Sequence, residues 1–228
     1  MTQHDQNPPP IYTCHRIYSA PILTGRGDDP LWSRAESVQL VDPTSGTPPS
    51  FATDVRLLYD ALTLYISFRC EDSLVWSTMV NHDDPIYTEE CVEVFLCPSK
   101  DQHHYYEINV SPLNTVFDSF IANPRTAIYL QNALTCKPEY HCGGLVTKVA
   151  IDGEPGKDGA RGWSAEYAIP FASVLDEAEI APGPGDEWLM NLCRIDQPRP
   201  GQLNLSSWSR LQRANFHTPW RFGTLAFG

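Results

Sequence analysis

Two runs of alternating residues, Cys91-Val-Glu-Val-Phe-Leu-Cys97 and Tyr105-Tyr-Glu-Ile-Asn-Val-Ser111, restrict the fold more than any other part of the chain. Extended backbone sends successive side chains to opposite faces. Val92, Val94 and Leu96 therefore share one side of the first run, and Cys91, Glu93, Phe95 and Cys97 the other. In the second run Tyr106, Ile108 and Val110 oppose Tyr105, Glu107, Asn109 and Ser111. The connecting residues 98–104 are long for a tight hairpin but rich in turn formers. A slip of one residue would turn every side chain over, so pairing the two apolar faces sets the register. That register gathers Glu93, Glu107 and Asn109 on the opposite face, beside Phe95 and Tyr105. Carboxylates in such a setting must be paired, hydrated or bound to something, which points to a polar ligand.

The rest of the chain repeats the short alternating pattern. Residues 53–59 and 62–70 predict a hairpin turning at Asp60-Ala61, and strands are expected over 116–120, 145–151, 163–169, 188–195, 203–208 and 222–227. Twenty Pro and 14 Gly punctuate them. Helical signals are confined to residues 28–35, where Pro30 sits near the start, and to 171–178. No strand–helix–strand rhythm is present. The expected fold is all-β, a two-sheet antiparallel β-sandwich with one or two short helices. Residues 1–12 are polar and Pro-rich and read as a flexible N-terminal arm, with 13–228 as a single domain. Trp32, Trp163, Trp188 and Trp208 are assigned to packing, while Trp76 and Trp220 fall in loops.

The net charge of −12, with only 16 Lys and Arg, argues against nucleic acid and anionic membrane surfaces, which attract basic patches. No apolar run approaches the ~20 residues that span a bilayer. The first ten residues have neither a basic flank nor an apolar segment, so the chain as written is expected in the cytoplasm, or outside the cell if a leader was removed. Seven cysteines do not read as a disulfide framework, and mostly reduced, buried thiols are expected. Cys91 and Cys97 would lie about 20 Å apart along one strand; Cys136 and Cys142 could meet across their loop. Neither Cys136, His141 and Cys142 nor His103-His104 shows the paired spacing of a structural zinc site.

The central stretch also resembles the family 9 carbohydrate-binding modules. In these an aromatic precedes an Asp/Glu-x-Val-Glu-hydrophobic-Phe strand, followed by an aromatic-x-hydrophobic-Asn strand. The likeness continues through Trp163-Ser-Ala-Glu-Tyr-Ala-Ile-Pro170, Trp188-Leu-Met-Asn-Leu192, Ser206-Ser-Trp-Ser209 and Phe216-His-Thr-Pro-Trp-Arg-Phe-Gly223. It implies a β-sandwich that binds a mono- or oligosaccharide without catalysis, the sugar held between two aromatic rings. By position those rings are Tyr87 and Phe216, with Glu93 and Asn109 as polar contacts and Asn215 beside Phe216. Two departures stand out. Tyr87 and Phe216 occupy places where the best-known pattern has tryptophan, and Glu107 replaces an arginine. The resemblance also implies structural calcium, for which Asp60, Asp72 and Asp118 stand at strand ends without a choice among them.

Two other readings stay open. Glu93 and Glu107 could form the acid/base pair of a glycoside hydrolase, with Glu166 also qualifying by type, or the sandwich could be a ligand-less interaction domain. Arg69 is the expected ion partner if Glu93 is structural.

Overall fold

The computed structural model describes residues 8–124, 134–137, 139–157, 159–176, 180–199 and 201–228. Thirteen strands run through them: β1 (Ile11–Arg16), β2 (Val38–Gln39), β3 (Thr53–Tyr59), β4 (Thr63–Glu71), β5 (Cys91–Cys97), β6 (His104–Val110), β7 (Val116–Ala122), β8 (Thr135–Lys137), β9 (Val146–Asp152), β10 (Gly162–Pro170), β11 (Glu187–Arg199), β12 (Gln202–Ser207) and β13 (Gly223–Phe227). Local chemistry sets their ends. Asp60 accepts from the amides of Leu62 (2.8 Å) and Thr63 (2.9 Å), which tightens the β3–β4 turn. Gly162 opens β10 at φ +142, where a Cβ would stand 2.0 Å from the Cys70 carbonyl oxygen.

The strands form two layers. One has the order β8-β7-β6-β5-β11-β13-β1, and the other β1-β3-β4-β10-β9. Strand β1 belongs to both: Ile11–Cys14 pair in parallel with β13, and His15 and Arg16 then pair in parallel with β3. Strand β11 is long enough to hold β13 along its first half and β12 along its second, with β5 on its other edge. The remaining pairings are antiparallel, as the alternation predicts.

Between the layers lies the main core. Leu57, Ile66, Phe68, Ala165 and Tyr167 from one layer meet Val92, Val94, Leu96, Ile108, Met190 and Leu192 from the other. The Tyr167 hydroxyl bridges the gap by donating to the Val92 carbonyl (3.0 Å). The tryptophans at 163, 188 and 208 are buried in this core, and Trp32 is buried beneath the outer side of the second layer. At one end of the core the Arg194 guanidinium, 1% exposed, reaches Asp72 (2.7 Å), Asp196 (3.1 Å), the Thr53 hydroxyl (3.2 Å) and the Glu71 carbonyl (2.7 Å). It ties the layers together and anchors the start of the 72–90 loop.

Two expectations are corrected. Ile11 and Tyr12 are not part of a loose arm: they begin the strand at the joint of the two layers, and the buried Tyr12 hydroxyl donates to the Glu36 carbonyl (2.7 Å) and accepts from the Leu57 amide (2.8 Å). Residues 1–7 lie outside the described residues. The helix expected over 171–178 is a 3-10 turn at Phe171–Ser173, because Phe171 is drawn into the core and its amide bonds the Leu62 carbonyl (2.8 Å); residues 177–179 lie outside the described part. Strands β2 and β8, of two and three residues, are too short to leave an alternating signature. All seven cysteines are free thiols, and only Cys136 is exposed.

Candidate functional site

Every residue of β5 is buried, because both of its faces are covered. The outer face carries a second apolar cluster: Cys91, Phe95, Cys97, Tyr105, Cys193 and Ile195 from the sheet, with Ile86, Leu211, Phe216 and Phe222 from the loops above. Within this cluster stand the polar residues picked out by parity. Glu93 lies directly opposite Asn109, and Phe95 opposite Glu107, so the two carboxylates are diagonal neighbours on one face. Cys193 of β11 flanks Glu93 on the other side.

These groups are buried and incompletely satisfied. The Asn109 amide nitrogen donates to Glu107 (2.8 Å), but its carbonyl oxygen has no hydrogen-bond partner among the described residues. Glu93, 2% exposed, accepts only the weak Cys91 thiol (3.4 Å) among the described contacts. Burial, followed by the charge of Glu107, pushes the Glu93 carboxyl well above the ordinary range, so the neutral acid, a donor as well as an acceptor, is favoured. Arg69 does not relieve it. Its neighbours Phe68 and Cys70 face the core, so Arg69 points outward from the opposite layer, in register with Asp54 and Ser164. Glu166 is also removed from the list of acids: it accepts from Thr24 N, Gly25 N and Trp32 Nε1 at 2.6–2.8 Å and is wholly structural.

The two proposed rings differ in their surroundings. Tyr87 sits in a short 3-10 turn, is 42% exposed, and packs edge-on against Phe117 (5.1 Å between centroids). Phe216 is 8% exposed and packs against Phe95 (6.5 Å), so little of its face is open. Asn215, half-buried, accepts from the His217 amide through its side-chain oxygen (2.9 Å). That bond positions a residue not singled out from sequence. His217 Nδ1 meets the Tyr105 hydroxyl (2.9 Å), and its Nε2 lies 3.9 Å from Glu107. Asn123 completes the chain by donating to the Tyr105 hydroxyl (3.1 Å). Next to Phe216 in an Asn-Phe-His run, His217 could have been flagged; Asn123 had no signal, since only β7 pairing brings it there. Trp76 and Trp220 are both partly buried: Trp76 Nε1 donates to the Gln197 carbonyl (2.7 Å), and Trp220 lies under Arg213.

The oxygen donors suggested for calcium do not converge. Asp60 is used within its turn and by the Tyr65 hydroxyl (2.8 Å). Asp72 stands with Glu90 and Asp196 around the Arg194 guanidinium, which already supplies the positive charge. Asp118 lies with two histidines, apart from both. These residues do not fit a calcium cage built from the three aspartates.

A two-layer sandwich with a buried polar row on one outer face, an open tyrosine at its margin and, among the described residues, only short 3-10 turns besides its strands defines the class: a β-sandwich recognition domain. The chain belongs to the carbohydrate family 9 binding domain-like family, whose pattern matches residues 23–227. A protein of Arthroderma benhamiae named "Extracellular protein" is 26% identical over 190 residues, covering 77% of this chain and 78% of that one. Among solved structures, a Bacteroides uniformis protein provisionally described as carbohydrate-binding superposes with a TM-score of 0.76 at 16% identity, over 96% of this chain and all of that one. A family 9 carbohydrate-binding module of Caldicellulosiruptor kristjanssonii in complex with cellotriose gives 0.64 at 16% identity, over 95% and 93%. At these identities the structural likenesses establish the fold.

Proposed function

We propose that this protein binds carbohydrate without transforming it, taking a gluco-configured mono- or oligosaccharide at the outer face of β5 and β6. The observation that carries the reading is the buried polar row itself. A carboxyl held towards its neutral form, a second carboxyl and an amide oxygen without a partner are costly to leave dry. Adjacent sugar hydroxyls, each a donor and an acceptor, are complementary to that set. Tyr87 supplies an open ring at the margin for the apolar face of the sugar, and Phe216 and Phe222, from the loops above, pack on Phe95 of the sheet beside the polar groups. Family membership supports the same ligand class, and the structures of Caldicellulosiruptor modules in complex with cellotriose and with glucose make these the first sugars to test.

Calorimetric titration of glucose and cellotriose is expected to show saturable binding that Glu93→Ala abolishes and Glu93→Gln largely keeps, since an amide also donates and accepts. No binding to a broad sugar panel would overturn the proposal. So would release of new reducing ends from oligosaccharides that Glu93→Gln eliminates, because the carboxyl pair would then be catalytic.

A further inference from the structure

On the other side of β7 from the polar row, three side chains from separate segments converge. Asp118 lies opposite Ile108 and so faces the core side, whereas Ser119 lies opposite Glu107. His82 comes from the 72–90 loop and His141 from the segment before β9. One donor atom from each of the three lies within 4.8 Å of the other two. The Asp118 side chain is completely buried; one carboxylate oxygen accepts from the Cys142 amide, while Oδ1 has no hydrogen bond among the described residues. Yet His82 Nε2 stands only 2.8 Å from that same Oδ1. The distance is that of a hydrogen bond and the alignment is not. Two ligands of one ion have this relation: with metal–nitrogen bonds of about 2.0–2.1 Å they sit roughly 3 Å apart and both aim at the ion rather than at each other.

We propose that His82, Asp118 and His141 form a site for a divalent transition cation of the zinc class. Two imidazoles and one carboxylate select zinc, cobalt or nickel over calcium, which takes oxygen donors. The buried carboxylate is oriented by the Cys142 amide, as metal-binding carboxylates are oriented by their outer partners. The Cys142 thiol is not a donor here, since it faces the Ser173 hydroxyl at 3.1 Å. His82 and His141 remain partly open to solvent, which gives the ion an entry path and leaves room for water. Such an ion would join the 72–90 loop to β7, reinforcing two contacts already made there: the Asp83 amide to the Val116 carbonyl (2.9 Å) and the Thr115 hydroxyl to the Met79 carbonyl (2.7 Å).

The test uses untagged full-length protein titrated with Zn²⁺ by calorimetry and with Co²⁺ by visible absorption. One equivalent is expected to bind, with ligand-field bands for cobalt and a raised melting temperature. His82→Ala and His141→Ala should each weaken binding by at least about tenfold, the loss that outer partners alone commonly cause. Both residues are at the surface, so the folds should persist, and Asp118→Asn tests the buried donor with its shape kept. Cys136→Ser, which changes the exposed thiol, should leave binding intact. Absence of binding, binding indifferent to both histidine variants, or displacement of cobalt by millimolar-range calcium would each overturn the assignment.

Discussion

Replacing Tyr87 by alanine separates the roles of the exposed ring in folding and in recognition. Fully covering a tyrosine buries about 150–250 Å², and Tyr87 retains 42% of its exposure. A sugar face lying over all of that surface would gain about 1.5–2.5 kcal/mol at ~25 cal/mol per Å². A pyranose that covers roughly half of it gains about 1 kcal/mol, or about fivefold in Kd. The folding side is small: the edge contact with Phe117 is worth about 0.5–1.5 kcal/mol. Tyr87→Ala should therefore weaken cellotriose binding about fivefold or more by calorimetry, with a modest loss of melting temperature, while Tyr87→Phe stays close to wild type. Binding by a folded Tyr87→Ala protein that matches wild type would refute the placement of the sugar against this ring. It would leave open whether the polar row binds sugar by another approach.

Two predictions concern stability. Burial, followed by the charge of Asp72, pushes the Glu90 carboxyl up to about 9 from an ordinary 4.5. A raised carboxyl contributes stability that is complete below its unfolded value and is lost as pH rises through its folded value. Glu90→Gln removes that dependence. Its melting temperature should gain on wild type steadily between about pH 5 and pH 9, and a constant difference across that window would refute the burial argument. Gly162→Ala should cost about 3 kcal/mol or more in urea unfolding, because its Cβ would collide with the Cys70 carbonyl; a loss below about 1 kcal/mol would mean that the β4–β10 junction yields easily.

The parity of β5 and β6 was legible because each strand has one apolar face, and only one register buries both. That placed Glu93, Glu107 and Asn109 together, as the pairing confirms. What stayed hidden depends on loops folding back over the sheet. Nothing in the spacing of Phe216 from Phe222 tells that its ring is tucked against Phe95, or that Asn215 is spent on its own turn. Arg69 was misplaced for a related reason: alternation shows that it opposes the core side of β4, not which layer β4 occupies. Strand β1 was missed because Pro8–Pro10 mask a six-residue strand whose neighbours lie at distant points in the sequence.

That strand has a mechanical consequence. Because Ile11–Cys14 run parallel to Thr224–Phe227, tension applied through the two termini of the domain would drag these segments past each other along their length. All the rungs between them would bear the load at once instead of opening one by one like a zipper. An approximately end-to-end pull should therefore meet its main resistance at this seam, and the protein should yield in a single abrupt step.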